Sequence, residues 1–398
     1  MSRYLTKSRF TLALTCPTKL AYQGDPRYVD NSKEDEFLEM LAEGGFQVGE
    51  LAKAMFEDGI EIEDRSRDVQ AARTREFLER DTVTLFEGTV IAGNWLVRAD
   101  ILCKSGGTIE LIEVKAKSFD SVEAPPPTKW RNKDGSIRRA FLPYLQDVAF
   151  QTLVIRSAFP HLRVQPFLML PDKSRVATVE GLNRMFRIER TQQADGSWRS
   201  RAVPAEGMTR EQLGEPILDK VDVSVFVEEI LSGMVKTPGG DMPFIDAARQ
   251  WGEAFASGRR ISPVIGPQCG NCQFRSDTPP PDKLSGFHEC WGGPVDRPVV
   301  DLYHPSKGQV LKLMKAGHRS LGEIRDDELP SSDEPGGLGR ADRDRHPCTL
   351  EVDEVQGPPE LGRFRPPAGA IEVERVSVSQ PEHLKALAVS TLQPAGFL

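Results

Sequence analysis

The apolar positions along this chain first recur at helical spacing and then change to the two-residue alternation typical of strands. Between residues 31 and 59 they recur every three or four positions, and the Gly44-Gly45 pair predicts a break into two helices. Residues 65–80 indicate another helix, rich in surface charge. Three strand-like runs joined by glycine-containing turns are then predicted, at 82–91, 94–104 and 107–117.

The next part of the pattern completes a fold prediction. Apolar spacing predicts a helix at 145–159, and alternation predicts a strand at 164–170. The order helix, three strands, helix, strand favours an α/β fold with a central mixed sheet. A polar hairpin around Asp195-Gly196 and two helices, at 221–232 and 244–257, are expected to follow.

Composition limits the class of protein. The chain has 398 residues, of which 39% are hydrophobic and 28% charged, as in soluble globular proteins. Its apolar runs are shorter than the roughly 20 residues that span a bilayer, so we expect a cytoplasmic protein without a membrane partner. The net charge of −8 argues against non-specific coating of nucleic acid. It remains compatible with a carboxylate site that a divalent metal neutralises and with basic residues confined to one groove.

Two acids and a lysine form the most informative pattern. Asp100 sits at or near the end of one predicted strand, and Glu113 and Lys115 are two residues apart on the next. The two-residue alternation puts Glu113 and Lys115 on one face, and an antiparallel neighbour can bring Asp100 beside them. A buried pair of carboxylates needs a cation between them, which suits Mg²⁺ or Mn²⁺. The alternative is a cross-strand salt bridge on a solvated sheet face.

This arrangement resembles the PD-(D/E)xK nuclease superfamily, with Asp100 and the triplet Glu113-Val114-Lys115 in the matching positions. The resemblance implies a restriction-endonuclease-like core built from the same order of elements. It also implies that Asp100, Glu113 and the Val114 carbonyl bind Mg²⁺ or Mn²⁺, while Lys115 positions the attacking water.

Two further segments resemble the RecB-type branch of that superfamily. Gln146 and Phe150 stand where the branch has its Gln-x-x-x-Tyr motif, which implies that Gln146 contacts the substrate or the metal-bound water. Phe150 lacks the hydroxyl of that motif's tyrosine, so only a stacking function is expected at position 150. The branch also has an upstream helical histidine near the metal, and Gly49 stands at about that position. Glu50 either supplies a carboxylate to the metal instead or is a solvated helix residue.

The cysteines suggest a second metal centre. Cys269 and Cys272 form a Cys-x-x-Cys pair in a loop, Cys290 follows, and Cys16 is the candidate for a fourth ligand. Four cysteines serve zinc and iron–sulfur clusters equally, and His288 also allows a mixed zinc set.

The order of these cysteines resembles the iron–sulfur nucleases, namely AddB-type helicase–nuclease subunits and CRISPR-associated exonucleases. The resemblance implies that Cys16, Cys269, Cys272 and Cys290 hold a structural [4Fe–4S] cluster that staples the two ends of the nuclease core. It implies a nuclease domain at 1–295 and a short helical extension at 296–325. Residues 326–398, rich in Pro, Gly and charge, are expected to be a disordered tail. The stretch 300–324 also resembles an uncharacterised bacterial family that has such a core.

A basic loop is the candidate nucleic-acid interface. Lys129, Arg131 and Lys133 surround Trp130 between the lysine strand and the Gln146 helix. We expect the charges to contact phosphates of a single strand and Trp130 to stack on a base. The alternative is a solvated Pro-rich loop.

Together these features predict a Mg²⁺- or Mn²⁺-dependent hydrolase of DNA phosphodiester bonds, acting as an exonuclease on single-stranded ends. Its expected partners are DNA and subunits of a repair or defence complex. One alternative is a Cys₄ zinc protein on a nuclease-like fold that binds nucleic acid or a partner without cleaving it. Another is a Cys-x-x-Cys redox protein, which the wide separation of the other cysteines disfavours.

Overall fold

The computed structural model describes residues 3–328, apart from 34–35, 57, 65, 193–197, 303–305 and 326–327. Of the tail expected at 326–398, only residue 328 is described. The expected turn at Asp195-Gly196 also lies outside the described residues. Within the part described, no helix combines the length and apolar character needed to cross a bilayer.

The described part of the chain contains eleven strands and eight α-helices. The strands are β1 Leu5–Thr6, β2 Ile60–Glu61, β3 Thr82–Ala92, β4 Trp95–Ser105, β5 Thr108–Val114, β6 Arg163–Pro171, β7 Phe186–Gln192, β8 Trp198–Pro204, β9 Leu218–Asp222, β10 Met234–Thr237 and β11 Gly240–Pro243. The helices are α1 Lys7–Thr15, α2 Glu36–Lys53, α3 Arg67–Phe77, α4 Leu142–Ala158, α5 Ser224–Ser232, α6 Phe244–Ser257, α7 Gly286–Trp291 and α8 Lys307–Lys315.

The predicted mixed α/β fold is confirmed. A seven-stranded sheet has the order β2-β3-β4-β5-β6-β9, with β1 pairing beside β4. The β4 strand is antiparallel to both of its neighbours, β3 and β5, whereas β5 and β6 are parallel. A parallel pair needs a crossover, and α4 supplies it.

One predicted boundary is wrong. The Gly44-Gly45 pair does not divide its helix, because α2 runs without a break from Glu36 to Lys53. A glycine inside a helix costs only about 1 kcal/mol relative to alanine. Packing of Leu51 and Ala52 in the core helps to offset that cost.

Both faces of the sheet are buried. On one face, Leu111 of β5 and Leu168 of β6 share a core layer with Val148 of α4. On the other, Ile112 and Phe167 share a layer with residues of α2. A polar side chain that points from the middle of β5 therefore faces a covering helix and has little access to solvent.

The described residues separate into two compact units. The first contains 3–264 and 273–290, and the second contains 265–272 together with the chain from 291 onward. In the second unit, α8 and two short helical turns enclose a small core: Val299, Leu302, Val310, Leu313, Leu321 and Ile324. This division passes through the cysteine-rich segment, whereas the sequence placed a boundary at residue 295.

Candidate active site

Asp100 lies where the β3–β4 ladder is interrupted. Pairing is regular before and after this point, but Glu87 on the opposite strand has a φ of 56°, which non-glycine residues rarely adopt. The core layers exchange here as well, since Ala99 packs in one layer and Ile101 in the other. The interruption therefore turns the chain at Asp100 in a way that regular alternation would not predict.

Glu113 is the buried centre of the site. Its side chain has 0% exposure. Oε1 accepts hydrogen bonds from Lys115 Nζ at 2.5 Å and from Lys7 Nζ at 2.7 Å. Oε2 accepts one from Gln151 Nε2 at 2.7 Å. The alternative interpretation, a salt bridge on a solvated sheet face, is therefore right about the ion pair with Lys115 and wrong about the solvated face, because Glu113 is fully buried.

Three of the residues around Glu113 were not among those that the sequence pattern assigned to the site. Asp147 and Gln151 lie four residues apart on α4, and Lys7 is the first residue of α1. Asp147 Oδ2 lies 3.0 Å from Lys115 Nζ and 3.9 Å from Lys7 Nζ. The sequence signal for Asp147 and Gln151 was their i, i+4 spacing inside an otherwise apolar helix, which places both on one face.

Asp100 completes the set from the neighbouring strand. Its Oδ2 accepts a hydrogen bond from the Val114 main-chain amide at 2.8 Å. This contact holds the carboxylate next to the Glu113–Lys115 strand, as the sequence predicted. Three carboxylates and two ammonium groups thus converge on one buried patch.

The pKa values of the acids diverge. Burial and the Glu113 charge raise the pKa of Asp100 to about 7 and that of Asp147 to about 6. Burial alone would also raise the pKa of Glu113, but Lys115 and Lys7 lower it below its usual range. Burial opposes the charge on both lysines, yet the surrounding carboxylates raise their pKa values. Glu113 is therefore the fixed anion, whereas Asp100 and Asp147 titrate near neutrality.

The structure does not bring Glu50 into this group. Glu50 Oε1 pairs with Lys53 Nζ at 3.0 Å, and the same ammonium lies 3.0 Å from Glu61 Oε1 and 3.5 Å from Glu87 Oε1. Lys53 satisfies Glu50 within its own helix turn.

The predicted Phe150 is not available to a substrate, and the contact of α4 with Glu113 does not come from Gln146; contact of Gln146 with a substrate or a metal-bound water stays a prediction. Gln146 is half-buried and precedes Asp147 by one position, a rotation of roughly 100° around the helix. Gln151, five positions on, is the amide that contacts Glu113. Phe150 has 0% exposure and stacks on Phe10 with ring centroids 4.4 Å apart, so it is unavailable for stacking on a substrate.

The basic loop divides into exposed and buried parts. Lys129 and Lys133 are exposed. Arg131 pairs with Glu229 at 2.6 Å. Trp130 has 1% exposure and stacks on Phe141 with centroids 4.2 Å apart, so the expectation that it stacks on a base is wrong. The Pro-rich composition of the loop predicted an exposed ring at Trp130. The ring instead anchors the loop to the core.

The four predicted cluster ligands belong to both units. Cys16 and Cys290 lie in the first unit, and Cys269 and Cys272 in the second. Cys269 and Cys272 share a helical turn in which the Cys272 amide donates to the Cys269 carbonyl at 3.2 Å. Tyr22 Oη lies 3.1 Å from Cys290 Sγ. The assembly of all four into one centre stays a prediction.

The donor chemistry of the active-site patch suits a divalent cation. Among the described residues, Asp147 Oδ1 and Gln151 Oε1 are buried oxygens without a hydrogen-bond partner. Carboxylate and amide oxygens are the ligands that Mg²⁺ and Mn²⁺ prefer. No group of three His, Cys, Asp or Glu side chains in the described part of the chain has metal-holding geometry. Ammonium groups instead neutralise Glu113, so a cation would take the place of one of them.

Comparison with known protein families, curated proteins and solved structures finds no match to this chain. Its function is therefore inferred from the site and from the motif resemblance.

Proposed function

We propose that this protein is a metal-dependent nuclease of the PD-(D/E)xK class that hydrolyses DNA phosphodiester bonds as an exonuclease on single-stranded ends. The observation that supports this most is the fully buried Glu113 carboxylate, in contact with Lys115 and beside Asp100. A buried carboxylate is costly unless it is paired and hydrogen-bonded, and a buried group of acids and lysines with shifted pKa values is typical of functional sites. The element order, with antiparallel β3–β5 and a parallel β6 reached through α4, also supports the proposal.

Asp100, Glu113 and the Val114 carbonyl would hold Mg²⁺ or Mn²⁺, with Asp147 as a further carboxylate. When bound, such a cation polarises a phosphodiester and lowers the pKa of a coordinated water. Asp100 binds a proton near neutrality, so the full ligand charge develops only as the pH rises through about 7. Proton and metal therefore compete for the same oxygen atoms.

Lys115 supplies a fixed positive charge, and Asp147 supplies a carboxylate that can exchange a proton. Lys115 Nζ lies between Glu113 and Asp147, and its raised pKa keeps it protonated. A fixed ammonium in a buried site stabilises negative charge that develops on a phosphate oxygen. Asp147, with a pKa of about 6, is largely deprotonated at neutral pH and is suited to accept a proton from a water molecule. Gln151 fixes the orientation of Glu113.

The test measures degradation of single-stranded DNA with Mn²⁺ for the wild type, Lys115→Ala and Asp147→Asn. Removal of one electrostatic donor typically costs about 10²–10³ in rate, so Lys115→Ala should lose nearly all activity. Lys236, an exposed residue of β10, offers the matched control Lys236→Ala. The catalytic assignment fails if Lys115→Ala and Lys236→Ala degrade DNA equally fast.

We also propose that Cys16, Cys269, Cys272 and Cys290 hold a structural [4Fe–4S] cluster. The shared turn of Cys269 and Cys272 supports this, because a Cys-x-x-Cys turn presents two sulfur atoms to one centre. Tyr22 supports it at Cys290, since burial and the sulfur raise the tyrosine pKa and keep the hydroxyl available as a donor. Hydrogen bonds to sulfur atoms are a common feature of the protein surroundings of such clusters.

Anaerobic purification tests the cluster. Brown protein with stoichiometric iron, lost in Cys272→Ser, supports it. Colourless protein with zinc would favour the Cys₄ zinc alternative, and inactivity of that protein on DNA would favour a binding role without cleavage.

A further inference from the structure

A polar cavity of about 670 Å³ lies in the first unit, lined by α1 and the chain on either side of it, the start of α3 and the end of α6. Its lining is unusually cationic for a chain of net charge −8. Six arginines line it: Arg3, Arg9, Arg27, Arg67, Arg259 and Arg260. Asp25 is the one acidic residue among the described lining residues. Such a concentration of one sign of charge focuses an attractive potential for anions.

Two of these arginines are already neutralised. Arg27 Nη2 lies 2.6 Å from Asp25 Oδ2, and Arg260 pairs with Glu289 and donates to the Tyr28 hydroxyl oxygen. The other four form no ion pair with any described residue: Arg3, Arg9, Arg67 and Arg259. An excess of unpaired guanidinium groups in one concavity is what an anion-binding site requires.

Arg9 gives an independent sign of a missing ligand. Its Nη1 donates to the Tyr4 carbonyl at 3.3 Å, but its buried Nε has no partner among the described residues. Burial and the charges of Arg67 and Arg3 lower the pKa of Arg9. Arg3 and Arg9 both lie over the Phe255 ring, 4.6 and 4.5 Å from its centroid, and this contact fixes the two guanidinium planes. A buried donor without an acceptor in a repulsive cationic cluster calls for an anion.

This cavity is distinct from the candidate active site. Lys7 and Arg9 both belong to α1, but two residues correspond to a rotation of roughly 200° around the helix. Lys7 contacts Glu113, whereas Arg9 lines the cavity. The same helix thus presents one cation to the carboxylates and another to the arginine cavity on a different face.

We propose that the arginine cavity is a binding site for a phosphate group. The guanidinium fork matches phosphate oxygens two at a time, and a terminal phosphate carries enough oxygens for several arginines at once. The volume is within the range of cavities that hold a whole small ligand. The phosphate group belongs to a nucleic-acid strand end or to a small molecule such as pyrophosphate.

The experiment uses the full chain in EDTA, so that no cleavage takes place and the result does not depend on nuclease activity. Calorimetry measures binding of pyrophosphate. Fluorescence anisotropy compares two single-stranded oligonucleotides that differ only in a terminal phosphate. The variant Arg67→Gln/Arg259→Gln changes two exposed lining residues. Arg201→Gln/Arg249→Gln, also exposed but outside the lining, removes the same total charge as a matched control.

The proposal predicts that wild type and control bind pyrophosphate alike, whereas the cavity variant binds it about tenfold or more weakly. Arg9→Gln should show the same loss, and its unfolding curve checks that it folds. A preference for the phosphorylated oligonucleotide that disappears in the cavity variant assigns the site to strand ends. Pyrophosphate binding without that preference assigns it to a small phosphate. Absent or equal pyrophosphate binding in all proteins would overturn the proposal.

Discussion

Gln151 donates its side-chain amide to Oε2 of Glu113 at 2.7 Å, and both side chains are fully buried. This contact links α4 to β5 at the candidate active site. Because the carboxylate is inaccessible to water, its second oxygen depends on that amide for its hydrogen bond. The relationship makes Gln151 a positioning residue for Glu113, five positions beyond the glutamine that the motif resemblance selects.

The variant Gln151→Met should therefore be less stable than the wild type. It leaves a buried, charged acceptor without its donor, which costs about 1–3 kcal/mol of unfolding free energy. Urea unfolding of the apo protein measures this. Gln146→Met on the same helix is the matched control and should stay within about 0.5 kcal/mol of the wild type. If Gln146→Met abolishes DNA degradation while Gln151→Met retains it, the motif assignment is right and the assignment to Gln151 is wrong.

The strands of the sheet could be predicted because each one shows a local alternation of apolar and polar residues. The runs at 82–91, 94–104 and 107–117 needed no knowledge of their partners, and the Asp100–Glu113–Lys115 set followed from adjacent strands. Lys7 could not be predicted in this way, since its contact with Glu113 joins positions far apart in the chain. The side chain of Trp130 was misjudged for the same reason: loop composition does not reveal which core surface lies beneath.

Asp100 should make stability depend on pH in the absence of divalent cations. Its pKa is about 7 in the folded protein and 3.8 as a free side chain. The folded state therefore retains a proton that the unfolded state loses, and the contribution to stability falls as the pH rises from about 4 to about 7. Asp100→Asn removes this loss and should be more stable than the wild type at pH 8, by on the order of 4 kcal/mol.

At about pH 3 the stabilities of Asp100→Asn and the wild type should converge, because Asp100 is then mostly protonated in both the folded and the unfolded state. Asp282→Asn, at an exposed position, removes the same charge and serves as the matched control. Unfolding curves in EDTA at both pH values decide the matter. A constant difference between Asp100→Asn and wild type across this range would show that Asp100 does not titrate there.

Lys7 should compete with a divalent cation for Glu113. Lys7→Met removes one of the two ammonium groups on Glu113 Oε1 and should cost the metal-free protein roughly 1–3 kcal/mol. Mn²⁺ binds the folded state, so it should raise the melting temperature of this variant more than that of wild type. Lys236→Met should show the wild-type response. Equal Mn²⁺ shifts in Lys7→Met and wild type would mean that the two cations do not share a site.

Of the four residues of the basic loop predicted to contact nucleic acid, Lys129 and Lys133 are the two that should contribute to binding. Both are exposed, whereas Arg131 is paired with Glu229 and Trp130 is buried against Phe141. Each phosphate contact adds about 0.7 to the salt slope of single-strand binding. Lys129→Gln/Lys133→Gln should then reduce the slope by roughly 1.4 if each lysine contacts one phosphate.

Substitution of Trp130 distinguishes a structural role of its ring in the core from a role in stacking on a base. Trp130→Phe keeps an aromatic ring in the core, so it should lower the unfolding free energy while leaving the salt slope of DNA binding unchanged. A tryptophan that stacks on a base would show the opposite pattern, with about 1–3 kcal/mol of lost binding energy on truncation to alanine and unchanged stability. Anisotropy titrations at several salt concentrations, combined with urea unfolding of the same samples, distinguish these outcomes. Because the ring lies between the loop and the core, we expect the effect on stability, with the two lysines acting at the surface above it.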